Sequence, residues 1–230
     1  MSFLNWFALG EFAWEAIKHA TSNIPEDVPI KEPKKIEALQ KPLPISSKGM
    51  RTSARGQIEL ANYEGLAQTK YIDSGGVHTI GIGMTVSEIP DLVKWSWNRA
   101  LDIPECVKLF QKALVKYENA VNRSLRVPVT QAQFDALVSI TYNIGTGGMA
   151  GSTFMRRLNA KANPKDVVSS MQAWCNDNGR KINGLVIRRK AEGQIFLTGR
   201  YQNDGTVALI SVNSKHKPVY NRRVNIEKYI

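Results

Sequence analysis

Two cysteines, three histidines and no apolar run of the roughly 20 residues a membrane span needs: each shortage in this chain closes off a class of function. Cys106 and Cys175 are too few for a disulfide framework, and two thiols in so long a chain read as small buried hydrophobes left free. His19, His78 and His216 lie far apart with no metal-ligand spacing, so no metal and no cofactor is expected. The opening stretch MSFLNWFALGEFAWEAIKHA has no early Lys or Arg and is broken by Glu11 and Glu15. A standard secretory signal is therefore not expected there, nor is a transmembrane segment anywhere in the chain.

Acid is scarce as well. Lys plus Arg number 31 against 20 acidic residues in 230, a formal charge of +11. Residues 1–50 hold six of each sign, so the excess lies in 51–230. A field of that sign draws in polyanions, which admits nucleic acid, anionic lipid or the carboxylate-rich bacterial wall. Specific nucleic-acid binding is not expected, because the chain has no dense basic run and no binding motif. Hydrophobic residues make up 43% and charged residues 22%, enough apolar matter for a real core.

Along the chain, Phe3, Phe7, Gly10, Trp14 and Ile17 fall at helical spacing. They predict an amphipathic helix over 3–18 that packs on its own domain or a partner. Its polar side carries Glu11, Glu15 and Lys18 rather than the basic band of a membrane-surface helix. Pro25, Pro29, Pro33, Pro42 and Pro44 then mark an extended linker, so residues 1–49 read as a leader.

From residue 50 to 200 the pattern is that of an α+β, mainly helical domain: a small β-lobe followed by a helical bundle. TSARGQIELANYEG predicts a helix of about two turns, closed by Gly65 in the left-handed C-terminal position. TKYIDSGGVHTIGIG predicts a hairpin about a Ser-Gly-Gly turn. A helix after Pro104 carries the stripe Val107, Phe110, Leu114, Tyr117 and Val121, read as core. Thr130 and Gln133 have capping-box spacing at the head of the next helix, and Asn163 with Pro164 opens another. Residues 201–230 change period again and predict a strand-like extension of two strands separated by Asn213 to Lys217.

Within YEGLAQTKYIDSGGVHTIGIGMT, three residues have the chemistry for breaking a glycosidic bond, which needs a carboxylic acid on one side and a group that handles water on the other. Glu64 falls at a helix C-terminus, where the dipole and partial burial both favour the protonated acid. Asp73 falls in a turn rich in backbone amides, which predicts a carboxylate that stays ionised. Thr79 offers a hydroxyl that both donates and accepts, suited to holding a water. Taken singly, each has an ordinary reading too: a solvated helix end, a turn residue and a strand former.

The spacing of Glu64, Asp73 and Thr79 in EGLAQTKYIDSGGVHTIGIG resembles the phage-type lysozymes of glycoside hydrolase family 24. The similarity continues through QFDALVSITYNIGTGGMAGSTFMRRLN and GLVIRRKAEGQIFLTG, over about residues 56–200. The resemblance implies a lysozyme-like fold with its cleft between the β-lobe and the helical bundle. It also implies a muramidase acting on the β-1,4 bond between N-acetylmuramic acid and N-acetylglucosamine in peptidoglycan. Glu64 would be the general acid, Asp73 and Thr79 would activate or position water, and an inverting course follows. Thr85, Tyr142 and Asn143 become candidate sugar contacts, and Arg188 falls where the family has an arginine close to the acid. Met84 stands where these lysozymes commonly have a histidine, which predicts a change of local stability or substrate contact rather than loss of activity. Three readings remain open under the resemblance. They are an endolysin that leaves the host cytoplasm through a holin-type hole, a virion-borne lysozyme whose extensions dock on phage structural proteins, and an inert scaffold that binds the wall.

Overall fold

The computed structural model describes residues 49–230 apart from Ser74, Asn178 and the side chain of Asp177. The helix expected over 3–18 and the linker over 24–48 lie outside the described residues.

The first helix among the described residues, α1 (Ala54–Glu64), starts because the Ser53 hydroxyl accepts from the Gly56 N–H, satisfying one of the amides that a helix start leaves bare. Its 11 residues make about three turns rather than two. Gly65 ends it with φ 70° and ψ 175°, a positive φ followed by extended backbone rather than the left-handed cap. The chain thus leaves the helix directly into a strand. β1 (Leu66–Ile72), β2 (His78–Gly81) and β3 (Met84–Thr85) form an antiparallel run about the expected turn. A bulge between Ala67 and Tyr71 re-aims the end of β1. Past it, Tyr71 pairs with Thr79 and Ile72 with His78. A 3-10 turn at Pro90–Lys94 follows, and the loop beyond it returns to β1 through the bridge between Thr69 and Ala100.

Helices then take over. α2 (Ile103–Ser124) opens with a full capping box between Asp102 and Glu105, with Pro104 in its first turn. α3 (Gln131–Ala150) opens with the expected box of Thr130 and Gln133, and is interrupted at Gly145, whose φ of 80° no ordinary helical residue adopts. α4 (Thr153–Asn159), α5 (Pro164–Gln172, capped by Asn163) and α6 (Asn183–Thr198) complete the bundle, with the short pair β4 (Asn176–Asp177) and β5 (Arg180–Lys181) between the last two. One apolar core runs through both parts, from Leu66, Ile80 and Ile82 in the sheet to Phe110, Phe134 and Phe154 in the helices. Each such side chain contributes about 1.5–3 kcal/mol by leaving water. Cys106 and Cys175 are buried free thiols.

The final residues form β6 (Thr206–Val212) and β7 (Pro218–Asn225), an antiparallel hairpin. β6 also pairs in parallel with β1, Leu66 opposite Leu209 and Ala67 opposite Ile210, giving a five-stranded mixed sheet in the order β3-β2-β1-β6-β7. The connection is tied down on the way. Glu59 Oε2 accepts from the amides of Gln202 and Asn203, and Arg223 donates to Asn62 at 2.8 Å. The fold is therefore α+β and mainly helical, as expected, and the strands predicted beyond the helices belong to the same sheet as the β-lobe.

Candidate active site

α1 runs into β1 through a single residue, Gly65, and Glu64 at the end of the helix and Tyr71 near the end of the strand both line one cleft that opens to solvent. Glu64, Asp73, Thr79, Thr85, Tyr142 and Asn143 all line it. Six of the seven residues singled out in the sequence are thus brought to one place. Arg188 stands behind the cleft wall, fully buried, with its guanidinium on Glu64 rather than facing a ligand.

Glu64 is 6% exposed, and its two oxygens have different surroundings. Oε1 accepts from Arg188 Nη1 at 2.8 Å. Oε2 lies over Gly83, close enough that a Cβ at that position would stand 2.8 Å from it. Gly83 has a φ of 68°, so a side chain there would be strained as well as obstructed. This is the physical reason for the second glycine of GIG.

Behind Glu64 lies a buried charge network. Arg188 Nε donates to Glu192 Oε1 at 3.0 Å, Arg188 Nη2 donates to the Ser139 carbonyl, and the Ser139 hydroxyl donates to Glu192 at 2.6 Å. Arg189 pairs with Glu192 Oε2 at 2.9 Å and donates to Asn143 Oδ1 at 2.8 Å. Burial alone would favour neutral arginines. At Arg188 the carboxylates of Glu64 and Glu192 more than offset it and hold the guanidinium above its ordinary range, whereas at Arg189 burial wins and pushes it down to about 10. The network fixes both the acid and the Asn143 side chain, at opposite ends of two adjacent arginines.

Asp73 is held differently. Its Oδ1 accepts from the Val77 amide at 2.8 Å, and its own amide donates to the Val77 carbonyl at 3.0 Å. The nearby Gly75 amide and Thr79 hydroxyl also favour the ionised carboxyl. The turn amides are present as expected, and they act to lower the pKa. Burial, at 2% exposure, outweighs them and pushes the Asp73 carboxyl above its usual range. Thr79 Oγ1 lies 3.3 Å from the Val77 carbonyl as well, and its single proton serves one acceptor at a time.

Thr85 is committed to a neighbour that the sequence reading passed over. Its amide and hydroxyl both donate to Glu88 Oε2 at 3.2 Å. Glu88 also lines the cleft and accepts from Lys116, Tyr117 and Ser87. Burial raises its pKa, but the hydrogen bonds from Ser87, Lys116 and Tyr117 together outweigh burial and hold the carboxyl below its ordinary range. The signal was present as Thr85-x-x-Glu88, the Thr-to-Glu spacing in which a glutamate reaches back to an amide three residues earlier. Tyr117, read as core, has its hydroxyl on Glu88 at 2.9 Å and also lines the cleft. Tyr142 packs beside Tyr117 at 4.6 Å between ring centroids and donates to the Ile82 carbonyl at 2.8 Å. Met84 faces inward, buried against Gly81, so the departure at that position is one of packing.

The family described as Phage lysozyme matches residues 61–192. This chain belongs to the phage lysozyme family. The match ends before β6 and β7. The endolysin of Bacillus phage B103 is 34% identical over 156 residues, which make up 67% of this chain and 57% of that relative's own length. Among solved structures, the endolysin from Escherichia coli O157:H7 phage FAHEc1 is similar with a TM-score of 0.58 and 34% identity, over 67% of this chain and 98% of that one. The muramidase domain of SpmX from Asticaccaulis excentricus gives a TM-score of 0.57 and 30% identity, over 64% and 98%. Phage lysozymes are glycoside hydrolases, and that is the enzyme class of this family member. Among the described residues no group of His, Cys, Asp and Glu could hold a metal, and no helix is long and apolar enough to cross a membrane.

Proposed function

We propose that this phage lysozyme family member is an endolysin that hydrolyses the β-1,4 bond between N-acetylmuramic acid and N-acetylglucosamine in peptidoglycan. The observation that carries the reading is the convergence of Glu64, Asp73 and Thr79 on one cleft, with Arg188 fixed on the far oxygen of the acid. Glu64 is the general acid. Because Oε1 is occupied by Arg188, Oε2 is the oxygen that carries the proton to the leaving sugar. Asp73 is the base for water on the other face. Thr79, with its hydroxyl beside that carboxylate, positions the water. Attack by water rather than by Asp73 itself makes the reaction inverting. Thr85, Tyr142 and Asn143 shape the sugar subsites of the cleft. The endolysin names carried by relatives support lysis from within: synthesis in the host cytoplasm, then access to the wall.

The test pairs chemistry with one substitution. Purified peptidoglycan digested by the wild type should release fragments with new N-acetylmuramic acid reducing ends, read by mass spectrometry after borohydride reduction. Glu64→Gln should lower turnover by about 10²–10⁴ while circular dichroism stays unchanged. New N-acetylglucosamine ends, or full turnover by that variant, would refute the assignment. Finding the protein in purified particles would shift its use to the start of infection, with phage structural proteins as partners.

A further inference from the structure

The hairpin of β6 and β7 lies beyond the family match, yet its tip reaches the turn that carries Asp73. The tip is ordered by Asn213, whose side-chain oxygen accepts from the amides of Lys215 and Lys217 and whose backbone pairs with Lys217. His216 sits there with a φ of 56°, in the left-handed region that a β-carbon disfavours. That conformation places three contacts at once. The His216 carbonyl accepts from the Ile72 amide at 2.8 Å, immediately before Asp73. Its ring stacks on Trp97 at 3.7 Å and 14°, and Trp97 in turn lies 5.2 Å from the ring of His78, just past the turn. The next side chain, Lys217, donates from Nζ to the Asp73 carbonyl at 3.3 Å. The turn is therefore gripped before, at and after the aspartate.

We propose that the hairpin tip is a positioning device for the reaction, in which His216 and Lys217 hold the Asp73 turn against the cleft and Lys217 supplies its cation. The inference rests on the reading of Asp73 as the carboxylate that handles water. The Lys217 charge acts on that carboxylate in the direction opposite to burial, favouring the ionised form in which it accepts a proton. The other titratable groups that bear on this turn are Glu64 on α1, Tyr71 on β1, which burial keeps neutral, His78 on β2, which burial and Lys70 hold below its usual range, His216 on the hairpin tip, and Lys70 on β1, whose ammonium lies 4.3 Å over the Trp97 ring and donates to the Val93 carbonyl. Lys70 is turned to Trp97 and the Val93 carbonyl, whereas Lys217 is the cation that acts on the aspartate, so Lys217 is the residue to alter.

The experiment uses the full chain with Lys217→Met, Lys217→Gln and Lys217→Arg. Turnover on purified peptidoglycan is followed against pH at low ionic strength, with thermal midpoints measured alongside. Removing the cation raises the pH at which Asp73 gives up its proton. The acidic limb of kcat should therefore move up by about 0.3 pH units in the Met and Gln variants, because the lysine is exposed and screened. A fall in kcat of about threefold with KM unchanged should accompany it, and the Arg variant should restore both. A limb that stays in place in the Met and Gln variants overturns the proposal, whatever happens to the thermal midpoint. Asp73→Asn, run in parallel, separates the two readings. Wild-type turnover in that variant would remove Asp73 from the mechanism, whereas inactivity beside unshifted Lys217 variants would remove only the role of the hairpin.

Discussion

The two sides of the cleft hold a carboxyl by opposite means. On the helical side, Glu64 is fixed by charged side chains, the fully buried Arg188, Glu192 and Arg189 on one helix. On the sheet side, Asp73 is fixed mainly by backbone amides in a turn, with one hydroxyl and one exposed lysine added. Buried ions stabilise one another only as a complete set, so the helical side is vulnerable to a single substitution. Backbone amides cannot be removed by changing a side chain, so the sheet side tolerates substitution in its fold and is sensitive in its chemistry.

The largest effect should come from Arg188→Met. It leaves Glu64 and Glu192 buried without their shared cation, and stability measured by urea unfolding should fall by about 3–5 kcal/mol. A loss no larger than that of a surface change would erase the contrast between the two sides. Thr79→Val should do the reverse. Its hydroxyl contributes about 1 kcal/mol or less to the fold, so the unfolding midpoint should hardly move, while turnover falls by about 10²-fold through the loss of a placed water. Equal losses of stability and turnover would mean that Thr79 only supports the strand.

The smallest effect is the pH dependence of stability in Asp73→Asn. Because burial raises the Asp73 pKa above its unfolded value, the stability linked to its protonated form is fully present below about pH 3.9 and lost as pH rises through the folded value. The variant lacks that loss. Its thermal midpoint relative to wild type should therefore climb as pH is raised through this window and level off near neutrality. A difference that runs the other way would show that the turn amides dominate after all.

Which parts were legible in the sequence follows from the range of the forces involved. Thr130 with Gln133 and Asn163 with Pro164 announce their helices because caps act within one turn. The Ser-Gly-Gly turn announces the hairpin of β1 and β2 for the same reason. Glu64, Asp73 and Thr79 were legible as a group through their spacing and the family resemblance. The direction of the Asp73 shift was not, since the burial that decides it comes from elements remote in sequence. Arg188 was expected near the acid, but its role as a buried member of a four-charge network depends on α6 packing against α1 and α3. The parallel pairing of β6 with β1 left no local mark at all.

That pairing has a consequence for when the enzyme can first work. Leu66 waits for Leu209, so more than 140 residues must be made after Leu66 before its strand acquires its parallel neighbour. A non-local strand contact of this kind forms late and limits the rate of folding. The five-stranded sheet is therefore completed only after α6 has been made, by the strands that follow it.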